Sequence, residues 1–149
     1  MAINPDLAGR VYPSAEVYDV AREKIREFAR AVKAGHPAHY DVDAAHALGH
    51  ADLVAPPTFA IIVAQRADAQ LIADPESGID FSRVVHAEQR FTHHRPIVAG
   101  DRLTAELHVD KVRAMGGGAM VTTRAEISAE DGSPVATTTS SILVRGEGQ

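Results

Sequence analysis

Hydrophobic spacing changes character near Gly78, and the two parts of the chain predict different elements. Upstream, Ile25, Phe28, Ala29 and Val32 recur at helical spacing, with Arg22, Lys24, Arg26 and Glu27 between them. This predicts an amphipathic helix over residues 21–32, ended by Gly35 and Pro37. A short helical turn over 42–48 follows, stopped by Gly49 just past its C-terminus. The segment 56–73 carries most information. Pro57 suits a first helical turn, where its missing N–H does no harm, and Thr58 reads as a cap. The run Phe59-Ala60-Ile61-Ile62-Val63-Ala64 is then apolar on every face, so other structure must enclose it. Gln65, Arg66, Asp68 and Gln70 turn the second half amphipathic and direct it towards solvent or a cavity.

Downstream, the period falls to two. Leu103, Ala105, Leu107 and Val109 alternate with polar residues, as do Ala119, Val121, Thr123, Ala125 and Ile127. Both segments read as half-buried antiparallel strands. Gly116-Gly117-Gly118 and Asp131-Gly132 supply turns, and further strands fit 84–92 and 135–144. A wholly apolar helix followed by about four sequential antiparallel strands packs most simply as a curved sheet wrapped around the helix. The predicted class is therefore α+β with the hot-dog fold, one domain over 1–149, its closing residues 146–149 frayed. Such a sheet leaves an open edge and a partly uncovered helix, which calls for a partner subunit.

Composition narrows the function. Hydrophobic residues make up 45% of the 149, with aromatics at 5% and no Trp, so the core is built from Ala, Val, Ile and Leu. Without cysteine there are no disulfides or thiolate metal sites. A net charge of −5 and a basic stretch (22–33) interrupted by Glu23 and Glu27 argue against nucleic-acid binding. The N-terminal residues lack the basic and apolar regions of a signal peptide, and the run 59–64 is too short to cross a bilayer. We expect a cytoplasmic protein without membrane insertion.

Several motifs in order carry a resemblance. His36-Pro37-Ala38-His39, Ala44-Ala45, Gly49 and Val54-Ala55-Pro56-Pro57-Thr58-Phe59 resemble the MaoC-like hydratase/dehydratase signature. So do Glu88-Gln89-Arg90-Phe91-Thr92 and Arg95-Pro96-Ile97-Val98-Ala99-Gly100-Asp101. With Arg22-Glu23-Lys24-Ile25-Arg26-Glu27-Phe28-Ala29, the chain is most similar to the N-terminal (HadA-type) branch. That branch includes the substrate-binding subunit of two-subunit (3R)-hydroxyacyl-ACP dehydratases of fatty-acid elongation. Active members of the superfamily use an Asp, a His five residues later and a backbone N–H at the start of the central helix. Here His39 takes the His position, whereas Ala34 stands where the Asp belongs. His36 replaces the usual Asn, and Pro57 stands where a Gly would offer its N–H. The resemblance therefore implies an acyl-thioester-binding subunit with a degenerate half-site, paired with a catalytic MaoC-like subunit or with itself. Its ligand would be an acyl-ACP or acyl-CoA and no cofactor would be needed. His39 is the single catalytic candidate, and the absent Asp weighs against it. The substrate channel would be lined by Ala55, Pro56, Pro57, Thr58, Phe59, Ala60, Ile62 and Val63, with Ala64 beyond.

Other readings compete. The chain could be a self-sufficient homodimeric hydratase using His39, a hot-dog thioesterase using Asp68, or an acyl-thioester-binding module without activity. For Asp68, simple exposure where the helix meets solvent is the favoured reading, and Gly100-Asp101 reads as a structural turn. The histidine pairs suggest metal, but Gly49 should separate His46 from His50, and adjacent His93 and His94 would point to opposite sides of a strand. No metal site is expected.

Overall fold

The computed structural model describes residues 3–14 and 16–146. Two short strands, β1 (Val11–Tyr12) and β2 (Tyr18–Asp19), precede α1 (Arg22–Ala31), α2 (Val42–Ala47) and α3 (Ala60–Ala73). Four long strands then follow: β3 (Val84–His93), β4 (Arg102–Met115), β5 (Gly118–Ala129) and β6 (Pro134–Val144). All pair antiparallel in one six-stranded sheet of order β1-β4-β5-β6-β3, with β2 also on β4. The sheet curves around α3, and this is the hot-dog fold.

Alternation along the strands produces two unlike faces. Leu103, Ala105, Leu107, Val109, Val121, Ala125 and Ile127 are buried on the concave side with Ala60, Val63, Ala64, Ala67 and Leu71 of α3. The convex side carries Glu106, His108, Arg124, Glu126 and Thr137, tied by His108–Glu106 at 2.7 Å and Arg124–Glu126 at 2.6 Å. A polar convex face leaves the helix side and the sheet edges as the places for apolar contact.

Several boundaries differ from the sequence reading. Helix α3 begins at Ala60, because residues 57–59 form tight turns with Phe59 N donating to the Pro56 carbonyl at 2.9 Å. Thr58 is not the cap; Phe59 occupies that position without a side-chain hydrogen bond. Helix α1 ends before Gly35: Lys33 adopts φ 59°, Lys33 N donates to Arg30 O at 3.2 Å and Ala34 N to Ala29 O at 2.8 Å. Those two bonds close the helix as a Schellman motif with lysine in the usual glycine position, and they leave Val32 exposed rather than on the buried face. Gly49 (φ 90°) does end α2. At the far end, Gly146 is not frayed, since its carbonyl accepts from Arg83 Nη1 at 2.6 Å; residues 147–149 lie outside the described set.

The largest departure is topological. Strand β3 pairs with β6, not with its sequence neighbour β4, so the connection 94–101 must cross the end of the sheet. It does so beside the segment that leads into α3: Ala55 N donates to Ile97 O at 2.8 Å and Ala99 N to Leu53 O at 2.9 Å. Asp101 anchors the crossing, accepting two hydrogen bonds from Arg95 (2.8 and 3.1 Å) and one from Val98 N at 2.9 Å. Gly100 provides the φ of 95° required there, in keeping with a structural turn.

Candidate functional site

Three chain segments meet at the start of α3. The turn 37–39 is capped by His36, whose Nδ1 accepts from Ala38 N at 3.1 Å. Val54 N donates to Ala38 O at 3.2 Å, and Val54 bridges to Val98 of the crossing segment. His39 faces this junction. Its Nδ1 lies 2.7 Å from the Val54 carbonyl, which can only accept, so the neutral ring carries its proton on Nδ1. Nε2 is left with a lone pair. That is the tautomer a general base requires.

The Ala34 carbonyl accepts from Tyr40 Oη at 2.6 Å, tying the α1 terminus to the His39 turn. Pro57 is exposed and has no N–H to give; its carbonyl instead accepts from His93 Nε2 at 2.7 Å. His93 in turn stacks on Phe91, with centroids 6.2 Å apart and planes 7° from parallel. The pattern of β3 places Phe91 and His93 on one face, but nothing in the sequence announces that His93 would brace the Pro57 turn. The next amide along, Thr58 N–H, makes no hydrogen bond among the described residues and sits on an exposed turn. It is the nearest available donor to the missing one.

The expected lining residues separate into two sets. Ala55, Pro56, Phe59, Ala60 and Val63 are buried, and Phe59 is wedged edge-on between Phe28 (5.4 Å) and Tyr18 (6.3 Å). These residues form the packed shoulder of the site rather than open wall. Pro57 and Thr58 are exposed and Ile62 is half-buried, as is Ile61, which was not among the expected lining. The enclosure that the all-apolar run demands is thus incomplete within one chain. Among the described residues, a cavity of about 1050 Å³ lies away from this set, between Ile79, Arg83 and the β4–β5 turn, and one of about 160 Å³ borders Val63 where Arg66 lies over Tyr18.

Asp68 corrects a sequence expectation. It is half-buried rather than exposed: it faces the sheet, accepts from Thr123 Oγ1 at 3.4 Å, and desolvation pushes its carboxyl up to about 6.

A curved antiparallel sheet around a central helix defines a hot-dog protein, and the sequence match places it among the dehydratase-type members of that fold. Residues 6–138 match the family model described as "FAS1-like, dehydratase domain region", and the chain belongs to that family. It is 54% identical to the "UPF0336 protein" of Clavibacter michiganensis over 99% of both chains. Among solved structures it is similar to a chain of the C-terminally truncated HadBC (3R-hydroxyacyl-ACP dehydratase) complex of Mycobacterium tuberculosis. That match has 36% identity and a TM-score of 0.85, covering 93% of this chain and 97% of that one. A structure described as a MaoC-like dehydratase gives 32% identity and a TM-score of 0.86, covering 94% of this chain but 42% of its own. No helix among the described residues is long and apolar enough to cross a membrane.

Proposed function

We propose that this chain is the acyl-thioester-binding subunit of a (3R)-hydroxyacyl-ACP or -CoA dehydratase in fatty-acid elongation, one hot-dog domain working beside a catalytic MaoC-like subunit. The observation that carries the reading is the composition of the site at the start of α3. A histidine is held in the tautomer of a base, yet Ala34 replaces the acid and Pro57 replaces the amide donor. Reversible hydration of an enoyl thioester needs a proton delivered at C2 and a water handled at C3, with charge on the thioester oxygen stabilised throughout. One oriented imidazole supplies too little of this. A partner with intact Asp and His would supply the rest, and this chain would contribute Pro57, Thr58, Ile61 and Ile62 to the channel wall. A partner also completes the enclosure of the helix. The similarity to a chain of a two-subunit dehydratase supports the same pairing.

A second reading rests on one observation. His39 Nε2 and the unbonded Thr58 N–H together offer a base and a donor, the minimum for slow turnover by a homodimer. Assaying hydration of enoyl-CoA thioesters by the chain alone, and with a MaoC-like subunit, decides between the two. The subunit reading expects turnover only from the pair, undiminished by His39→Gln in this chain. Turnover by the chain alone, however slow, that His39→Gln abolishes would establish the homodimeric enzyme instead.

A further inference from the structure

A polar row crosses the concave face where alternation calls for apolar side chains. Gln89 on β3, Ser140 on β6 and Thr123 on β5 are register neighbours across three strands, and Ser140 and Thr123 are buried. Asp68 meets this row from α3 through its bond to Thr123. His86 reaches it too: its Nε2 lies 3.2 Å from both Ser140 Oγ and the Glu88 carbonyl. In an unbroken strand, residues three apart face opposite sides. A register shift between His86 and Glu88 turns both His86 and Gln89 onto the concave side.

The hydrogen bonds in this row do not balance. Gln89 Nε2 points to the Arg90 carbonyl at 3.4 Å, which fixes the amide orientation and leaves Oε1 buried without a partner. Asp68 has no hydrogen bond beyond the long one from Thr123 among the described residues, and burial already disfavours its charge. One buried acceptor, Gln89 Oε1, is therefore unmet, and the half-buried Asp68 carboxylate keeps accepting capacity to spare. Buried acceptors left unmet lower stability, so they make physical sense where a ligand brings the missing donor. Access is available: α3 packs on β4, β5 and β6, while His86 on β3 is exposed and Gln89 half-buried. Asp68 lies nine residues beyond Phe59, about 13 Å along the helix at its usual rise.

We propose that Asp68, Gln89, Thr123, Ser140 and His86 form a second binding point that takes a neutral hydrogen-bond donor of the bound thioester, a hydroxyl on the distal acyl chain. The inference rests on the acyl-thioester reading above, with the thioester at the start of α3 and the chain running along it. An amide N–H of the pantetheine arm offers the same chemistry, and the test separates the two sources.

The test measures binding of ω-hydroxyacyl-CoA and its unsubstituted parent to the full chain, at lengths from octanoyl to hexadecanoyl. A hydroxyl that reaches the row should tighten binding about tenfold within a window of lengths. Asp68→Asn and Gln89→Met should erase that preference while leaving the parent's affinity unchanged. Equal weakening of both ligands identifies the pantetheine amide as the donor. If the parent binds but no length shows a hydroxyl preference and neither variant matters, the second binding point is wrong and the acyl-thioester reading stands. If neither ligand binds, the acyl-thioester reading fails, and thermal melts without ligand judge the row on its own. Gln89→Met and Asp68→Asn should raise Tm by a few degrees at neutral pH, because each removes an unmet acceptor or its charge. A fall in Tm for both would show a satisfied structural network and overturn the proposal.

Discussion

The two edges of the sheet are built to opposite ends. At the β4 edge the chain covers itself: β1 pairs Val11 with His108 and Tyr12 with Leu107, and β2 pairs Tyr18 with Leu103. Tyr12 Oη donates to Asp74 Oδ2 at 2.5 Å, and Arg10 joins Asp74 and Glu76 at 3.1 Å each, bolting this edge to the end of α3. At the other edge, no second strand among the described residues pairs with β3. Val85 is 44% exposed and neighbouring Phe81 69%, with the Pro57 turn and the Asp68 row on the same side. An open strand edge beside apolar surface is a liability unless a partner covers it. The closed edge carries stability, and on the proposed function the open edge would carry binding.

Four substitutions sharpen or break this division. The largest effect belongs to Phe59→Ala, which empties the space between Phe28 and Tyr18; stability should fall by about 3–5 kcal/mol in urea denaturation. A loss below about 1 kcal/mol would mean that the closed side is not the mechanical core. Next comes Asp68→Asn on the open side. The carboxyl moves from 3.8 to about 6 on folding, so the native state binds its proton more tightly. Stability from this group is complete below about pH 4 and lost as pH rises through 6, about 3 kcal/mol in all. The Asn variant should lack this share of the slope, and wild-type and variant profiles that run parallel across that range would contradict the assignment. Tyr12→Phe removes the bolt of the closed edge and should lower Tm by about 2–4 °C without affecting association. Smallest in stability is Val85→Lys, expected within about 0.5 kcal/mol of wild type because the residue faces solvent. Its effect should appear in sedimentation instead, as weakened self-association or partner binding; unchanged assembly would move the interface away from β3.

Much of the fold was legible because its signals are local. The period-two runs in 103–109 and 119–127 fix which side chains face inward, and the Gly116-Gly117 turn (φ 49° and 89°) forces the hairpin between β4 and β5. Strands β1 and β2 were not legible, since two residues each hold no period and owe their form to pairing with β4. Lys33 at positive φ was hidden because Gly35 and Pro37 looked like better terminators. At the candidate site, His39, Ala34 and Pro57 were singled out only through the family resemblance. That His93 braces Pro57, or that Asp68 faces the sheet, had no signal in the sequence, because both depend on strands remote along the chain.

By itself, then, the sequence determined the long elements: a helix with no polar face in its first half and strands with one greasy side. These follow from single side chains and their neighbours along the chain. Only the tertiary structure decided the order of the strands, because placing β3 beyond β6 depends on the crossing at 94–101, anchored by Asp101, rather than on any local preference. That order leaves one edge open, sets the Pro57 turn against His93, and brings Gln89 into line with Ser140 and Thr123 beneath Asp68.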